Sequence, residues 1–457
     1  MTFETYFHLS AYPIFYLLAY WVSFLLSPFK FSKTFSLVSL ALLMRLIASF
    51  FIPMIIIFDD EIGYARMGHE AMIALELNQS QPWGYNPWGN VTGIFFYIFG
   101  ESSHTVKAFN TFISIVSAFL LFQIAEKLYA NRATIHSQLY HQRKKDTKKY
   151  QGIFLLIYRV PLRSSFLRSQ LETIPRMVLY FSLFLPPLVF LSSIALKEQM
   201  IAFLLVVSLY GILQHSLRGW FIAIIALILL WTFRSSLAVL IIAAVALYWT
   251  GLVYHQKYLS KGVKRVGIAV ALGIVMTVGL VVAQQESIHK IKTVMVITGE
   301  EVREARALQQ AQSKFDSYFD AANPFTIKNL LIAPLRALYS PSPFKIILSP
   351  TLQYLLEAFI LLLFIFWAFP YMVIGIAESV SNIDRLLIAV FYLIVFLTAS
   401  YSALTFAPEP FRYRWPGLPL YFMLAAYGWF HKQYKWRKTV VWGWWISVSL
   451  GGIVYLM

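Results

Sequence analysis

Apolar runs about as long as a bilayer is thick recur along the whole sequence. A helix needs roughly 20 consecutive apolar residues to cross a membrane. Such runs lie near 7–26, 34–57, 106–129, 177–196, 199–216, 219–233, 236–254, 266–284, 351–375, 386–406, 413–430 and 439–457. In lipid only a helix or a closed barrel satisfies its own backbone, and runs of this length are helical. The expected fold class is all-α: a polytopic integral membrane helical bundle of about 12 transmembrane helices, within a range of about 11–14. Composition agrees, since 59% of the 457 residues are hydrophobic and only 13% are charged, where a soluble chain carries about a quarter. The first run lacks the basic start and small-residue cleavage site of a signal peptide, so it reads as a retained helix. No repeat of fixed period and no low-complexity linker appears, and 1–457 reads as a single transmembrane domain.

Charge then sorts the connections. Lys30 and Lys33, the segment 130–176 with Arg143, Lys144, Lys145, Lys148 and Lys149, the cluster Lys257, Lys261, Lys264 and Arg265, and Lys432, Lys435, Arg437 and Lys438 are all basic. Twelve spans put all four on one side, which the positive-inside rule makes cytoplasmic. The net charge of +17 then answers to anionic lipid rather than to nucleic acid. Within 130–176, the part 151–168 mixes apolar residues with Arg159, Arg163 and Arg168, as a helix lying in the inner interface would. The other face holds two long loops, 58–105 and 285–350. Cysteine is absent, which excludes disulfides, thiolate metal sites and a cysteine nucleophile.

The loop 58–105 is the chemically distinctive one. An apolar run ends in Asp59, Asp60 and Glu61, in a chain where acids are scarce. The pattern after them is helical, with Tyr64, Met67, Ala71, Ala74 and Leu75 on one face, as in an interfacial helix. Asp60 and Tyr64 share a face, whereas the adjacent Asp59 and Asp60 diverge. "QPWGYNPWGNVTGIFFYIFG" follows at 81–100. Its prolines and glycines break helices, its Trp83, Tyr85 and Trp88 suit a membrane interface, and 91–99 is too short to span. Trp residues there are interface anchors or platforms for a sugar ring. The acids are solvated helix-start carboxylates or a site.

Four cations oppose the charge bias of the chain. Lys197 falls in a tight outer turn, Arg234 at the next outer turn, and Arg412 and Arg414 at the outer start of another span. Each snorkels to lipid phosphates in general or serves a phosphate site. Arg45 lies in mid-span, where a charge costs about 2.5–3.5 kcal/mol on insertion scales. It is expected to face the bundle and to be paired, with Glu357 and Asp384 as candidate partners. His289, Lys290 and Lys292 read as a solvated loop, and His69 as a lone surface histidine without a ligand role.

The order of these features resembles the GT-C glycosyltransferases, among them the protein O-mannosyltransferases and the lipid A aminoarabinose transferases. That family places Asp-Glu after an early span with Tyr three residues on, here Asp60, Glu61 and Tyr64. A dipping segment ending in Phe-Gly follows, as in "FFYIFGESSHTVKAFN", then a span closing in a basic motif, "AEKLYANR", and a late Arg-aromatic-Arg-x-Pro-x-x-Pro, here "RYRWPGLP" leading into "LAAYG". The chain departs from the pattern in the extra span 7–26 and the basic insert 130–176.

The resemblance implies transfer of a sugar from a polyprenyl-phosphate donor to a hydroxyl on a glycan, lipid or protein acceptor. Its setting would be the extracytoplasmic face; the absence of a visible organelle signal points to a bacterial plasma membrane. It implies Asp60 as the base for the acceptor proton, with Asp59 as runner-up, and Glu61 orienting the acceptor. Arg412, Arg414, Lys197 and Arg234 would bind the donor phosphate, and Tyr64 and Trp88 would contact acceptor or sugar. Mg²⁺ or Mn²⁺ is a candidate cofactor, held by Asp59, Asp60 and Glu61. Two other classes compete: an O-antigen-ligase-like or polysaccharide-polymerase-like enzyme, and a lipid-linked sugar transporter or flippase. The last would show charged or Gly/Pro-broken spans near mid-membrane.

Overall fold

The structure, a computed structural model, describes residues 11–55, 59–77, 87–147, 164–255, 363–380, 382–405, 414–430 and 438–446. Among these, all regular structure is helical. In chain order the helices are α1 (Ala11–Leu26), α2 (Phe31–Ile55), α3 (Asp59–Glu76), α4 (Pro87–Phe99), α5 (Ser103–Thr147), α6 (Ser164–Phe184), α7 (Pro186–Ser192), α8 (Glu198–Leu213), α9 (Leu217–Phe233), α10 (Ser235–His255), α11 (Leu363–Ser379), α12 (Ile383–Thr405) and α13 (Leu418–Phe430), the last preceded by a 3-10 turn at Trp415–Gly417. Four are long and apolar enough to cross a membrane, or five if the bent pair α6–α7 is one span; α1, α8, α9 and most of α11 are shorter apolar helices. The bundle also wears its apolar residues outside. Leu17, Trp21, Phe31, Phe51, Phe221 and Ile228 are all exposed, a surface that suits lipid and not water.

α5 is the axis of the bundle. It packs against α1, α2, α6 and α8, and its apolar stretch Ser103–Leu128 is the most deeply buried of the span candidates. Lys107, Asn110, Thr111 and Ser114 recur at i, i+3, i+4 and i+7, a polar stripe on one face of that helix. Contrary to the loop expected at 130–176, α5 continues unbroken to Thr147. No glycine or proline interrupts Ser103–Thr147, and Lys, Arg, Gln and Ala are good helix formers even where they are too polar for a membrane. Likewise 164–168 belongs to the continuous helix α6 instead of ending a separate helix at the interface; 151–163 lie outside the described residues.

The run 177–196 is not one straight span. It breaks at Leu185, and α6 and α7 meet at a 50° bend. Pro186 and Pro187 explain the break, since neither offers an N–H to the turn before it. The run expected at 266–284 lies outside the described residues, as does the loop 285–350 with His289, Lys290 and Lys292.

Helices that meet at opposite ends of the bundle carry different polar groups. At one end the α8–α9 turn meets the C-terminal half of α10 and the start of α12. There Asp384 accepts a hydrogen bond from the Tyr248 hydroxyl at 2.6 Å and faces His215 Nε2 at 3.6 Å. The Lys127 ammonium donates to the Leu213 carbonyl that closes α8. Asp384 is therefore occupied far from Arg45, and the ion pair expected between them does not form. Glu357 lies outside the described residues. The fully buried Arg45 instead donates to the carbonyls of Leu183 (2.8 Å), Ser182 (3.3 Å) and Ala41 (3.3 Å), and to Ser114 Oγ (3.1 Å).

Candidate functional site

The other end of the bundle gathers the α3–α4 hairpin, the start of α5, the turn 193–197 and the α9–α10 turn. α3 begins at Asp59, so all three acids lie in its first turn, where carboxylates are favoured by the helix dipole. The helix predicted after Glu61 is present and runs to Glu76. The side chains of Asp59, Asp60 and Glu61 lie outside the described residues.

α3 is fixed against α4 by two glycines. A Cβ on Gly68 would sit 2.5 Å from Thr92 Cγ2, and one on Gly93 would sit 2.6 Å from Ala71 Cβ. Only bare backbone lets the two helices approach so closely. α4 starts with Pro87, suited to a first helical position, and stops at Gly100, whose φ of 85° and hydrogen bond to the Phe96 carbonyl make it a left-handed cap. His69 Nδ1 lies 2.8 Å from Glu101 Oε2, tying α3 to the residues just before α5.

An aromatic floor supports this hairpin. Trp88 and Phe96 of α4, Val106 of α5 and Ala195 of the turn form one buried cluster, with Tyr64, Met200 and Phe233 packed on it. Trp88 is fully buried and meets Phe233 edge to face at 6.2 Å. It is a packing residue, neither an interface anchor nor an open platform for a sugar. Trp83 and Tyr85 lie outside the described residues.

The turn 193–197 is held by the polar stripe of α5. Asn110 Nδ2 donates to the carbonyls of Ile194 (2.7 Å) and Leu196 (3.1 Å), and Thr111 Oγ1 donates to that of Ser192 at 3.5 Å. The turn ends in Lys197, the N-cap residue of α8, whose ammonium sits 5.8 Å from the centre of the Tyr64 ring. A cation over an aromatic face is attracted by the ring quadrupole. Arg234 caps α9 directly after Phe233, the residue under Trp88. Tyr64, Trp88, Lys197 and Arg234, from four separate parts of the sequence, thus share one end of the bundle.

Arg414 is the N-cap residue of the Trp415–Gly417 turn, which packs on α8, the helix that Lys197 caps. Arg414 is buried, and it lines a cavity of about 10 Å³ with Tyr392, Phe396 and Tyr421, room for about one water. The next residue, Trp415, packs on Phe190 of α7 at 6.2 Å. Arg412 lies outside the described residues. Lys107 is a buried residue that the motif reading passed over. It is only 2% exposed and it is partnered. The α5 stripe of Lys107, Asn110, Thr111 and Ser114 was the signal that could have found it.

Between α9 and α10 runs an apolar groove of about 830 Å³, walled by Trp220, Trp231 and Trp249. α9 and α10 are joined at the turn that carries Arg234. No three His, Asp or Glu side chains among the described residues come together as a metal site.

Comparison of the chain with protein-family models, with curated proteins and with solved structures finds no match.

Proposed function

We propose that this chain is a membrane glycosyltransferase, which moves a sugar from a polyprenyl-phosphate donor to a hydroxyl acceptor at the extracytoplasmic face of a bundle of about 12 spans. One observation carries the reading. The helix that opens with Asp59, Asp60 and Glu61 is packed so that its Tyr64 lies beneath the ammonium of Lys197, which puts a run of acids and a cation at one end of the bundle. In the proposed step the acceptor oxygen bonds to the anomeric carbon. The bond from that carbon to the phosphate oxygen breaks with its electron pair, and Asp60 takes the acceptor's proton. Lys197 and Arg234 stabilise the charge left on the lipid phosphate. The groove beside Arg234 falls within the range of ligand pockets, and its tryptophan walls suit an isoprenoid tail.

The bend between α6 and α7 favours a second reading, a lipid-linked sugar transporter, because interrupted helices are common at transporter sites. Purified protein in nanodiscs with a labelled polyprenyl-phosphate sugar separates the two. Transfer of label to an acceptor, lost by about 10²–10⁴-fold in Asp60→Asn, is expected. Movement of intact donor across the bilayer without transfer supports the transporter, and full transfer by Asp60→Asn removes the base assignment.

A further inference from the structure

Among the described residues no carboxylate pairs with the buried Arg45, and the backbone at the α6–α7 break offers it other partners. In a continuous helix the N–H of residue i bonds to the carbonyl of residue i−4. Residues 186 and 187 are prolines. Ser182 and Leu183 therefore lose the two donors that their carbonyls would otherwise meet. The helix is regular up to that point, since Leu185 N–H still bonds to the Phe181 carbonyl at 3.0 Å. Beyond it, Leu188 and Val189 both turn their N–H to the Leu185 carbonyl, which starts α7 afresh. The two carbonyls stripped by the prolines are the two that the Arg45 guanidinium reaches from α2, at 3.3 and 2.8 Å. Ser182 is buried, and Arg45 is fully buried, where an unmet carbonyl is costly.

The same arginine reaches the turn that follows α7. Its own carbonyl accepts from Ser193 Oγ at 3.3 Å, beside the bond from Ser49 Oγ at 2.7 Å. Its guanidinium also holds Ser114, one helical turn from Asn110, which grips the carbonyls of Ile194 and Leu196. Arg45 therefore touches the backbone on both sides of α7, at Ser182 and Leu183 through its guanidinium and at Ser193 through its own carbonyl, four residues before Lys197. Every polar residue in this chain of contacts is buried.

We propose that Arg45 is a positioning residue, whose guanidinium stands in for the two amide donors that Pro186 and Pro187 lack and so holds the bend that delivers Lys197 to the site. The stand-in itself is independent of the function proposed above; the delivery of Lys197 rests on that reading.

The two halves are tested on the full chain in nanodiscs. Arg45→Met removes the donors at similar length. Pro186→Ala with Pro187→Ala restores backbone N–H groups and lets the helix straighten. The expected cycle is non-additive. Arg45→Met lowers Tm by roughly 5–10 °C, and adding the two alanines recovers at least half of that loss. If Arg45→Met fails to accumulate, the triple variant is expected to fold. Additive losses, or failure of the triple variant to fold, overturn the stand-in. In the transfer assay the refolded triple variant is expected to stay at least tenfold below wild type in kcat, with KM for the acceptor little changed, because Lys197 is no longer held. Full kcat in that variant overturns the delivery of Lys197 and leaves the stand-in standing. A wild-type chain that transfers no sugar overturns the delivery of Lys197 too, while the Tm cycle still decides the stand-in.

Discussion

The two ends of the bundle use the same kinds of residue to different effect. Around Asp384 the polar groups close on one another: a tyrosine hydroxyl and a histidine face the carboxylate, and the nearby Lys127 ends on a helix-terminal carbonyl. Around Lys197 the cation meets an aromatic ring, and the helix carrying that ring begins with three acids. The first arrangement is self-contained, with Tyr248 buried and Asp384 partly so. The second concentrates charge at an end where helices from four parts of the sequence meet. Charge type did not separate the two ends. What each charge rests against did.

That contrast can be broken by substitution. Lys197→Met is expected to have the largest effect, a loss of about 10²–10³-fold in kcat for sugar transfer. Tm should stay within about a degree, because a partly buried lysine on a ring contributes little to folding. A large Tm loss without a kcat loss would make the two ends alike. Gly93→Val comes next. Its side chain collides with Ala71 across the α3–α4 contact, with an expected cost of about 1–3 kcal/mol in stability, read by thermal unfolding, and a loss of transfer as α3 is displaced. Smallest is Tyr248→Phe at the opposite end, at about 1 kcal/mol for one hydrogen bond, with transfer unchanged. If Tyr248→Phe abolished transfer, the closed end would be part of the site.

Much of this was legible from periodicity and charge. The helix after Glu61 and the turn at Lys197 follow from local patterns, and local patterns survive folding. Which chain segments satisfy a buried group does not. Arg45 looked in need of an acid because charge usually seeks charge. Two carbonyls orphaned by a Pro-Pro pair 137 and 138 positions away took that place, and only the i−4 rule applied to those prolines would have hinted at it. Trp88 looked interfacial because tryptophan commonly is. Its burial depends on Phe233, which no local pattern links to it. The basic segment after Leu128 looked like a loop because it is too polar for a membrane. Polarity decides only where a helix can lie, and the absence of glycine and proline decided that it is one.

That long helix changes what its charges can do. Lys144 lies sixteen positions beyond Leu128, the end of the apolar stretch, which at 1.5 Å per residue is about 24 Å along the axis. The screening length in physiological salt is about 8 Å. If the apolar stretch crosses the bilayer and the helix runs on along the same axis, Arg143, Lys144 and Lys145 stand some three screening lengths past the last apolar turn. The helix backbone there would stand clear of the hydrocarbon core and of the headgroup layer that adds about 5–7 Å to it.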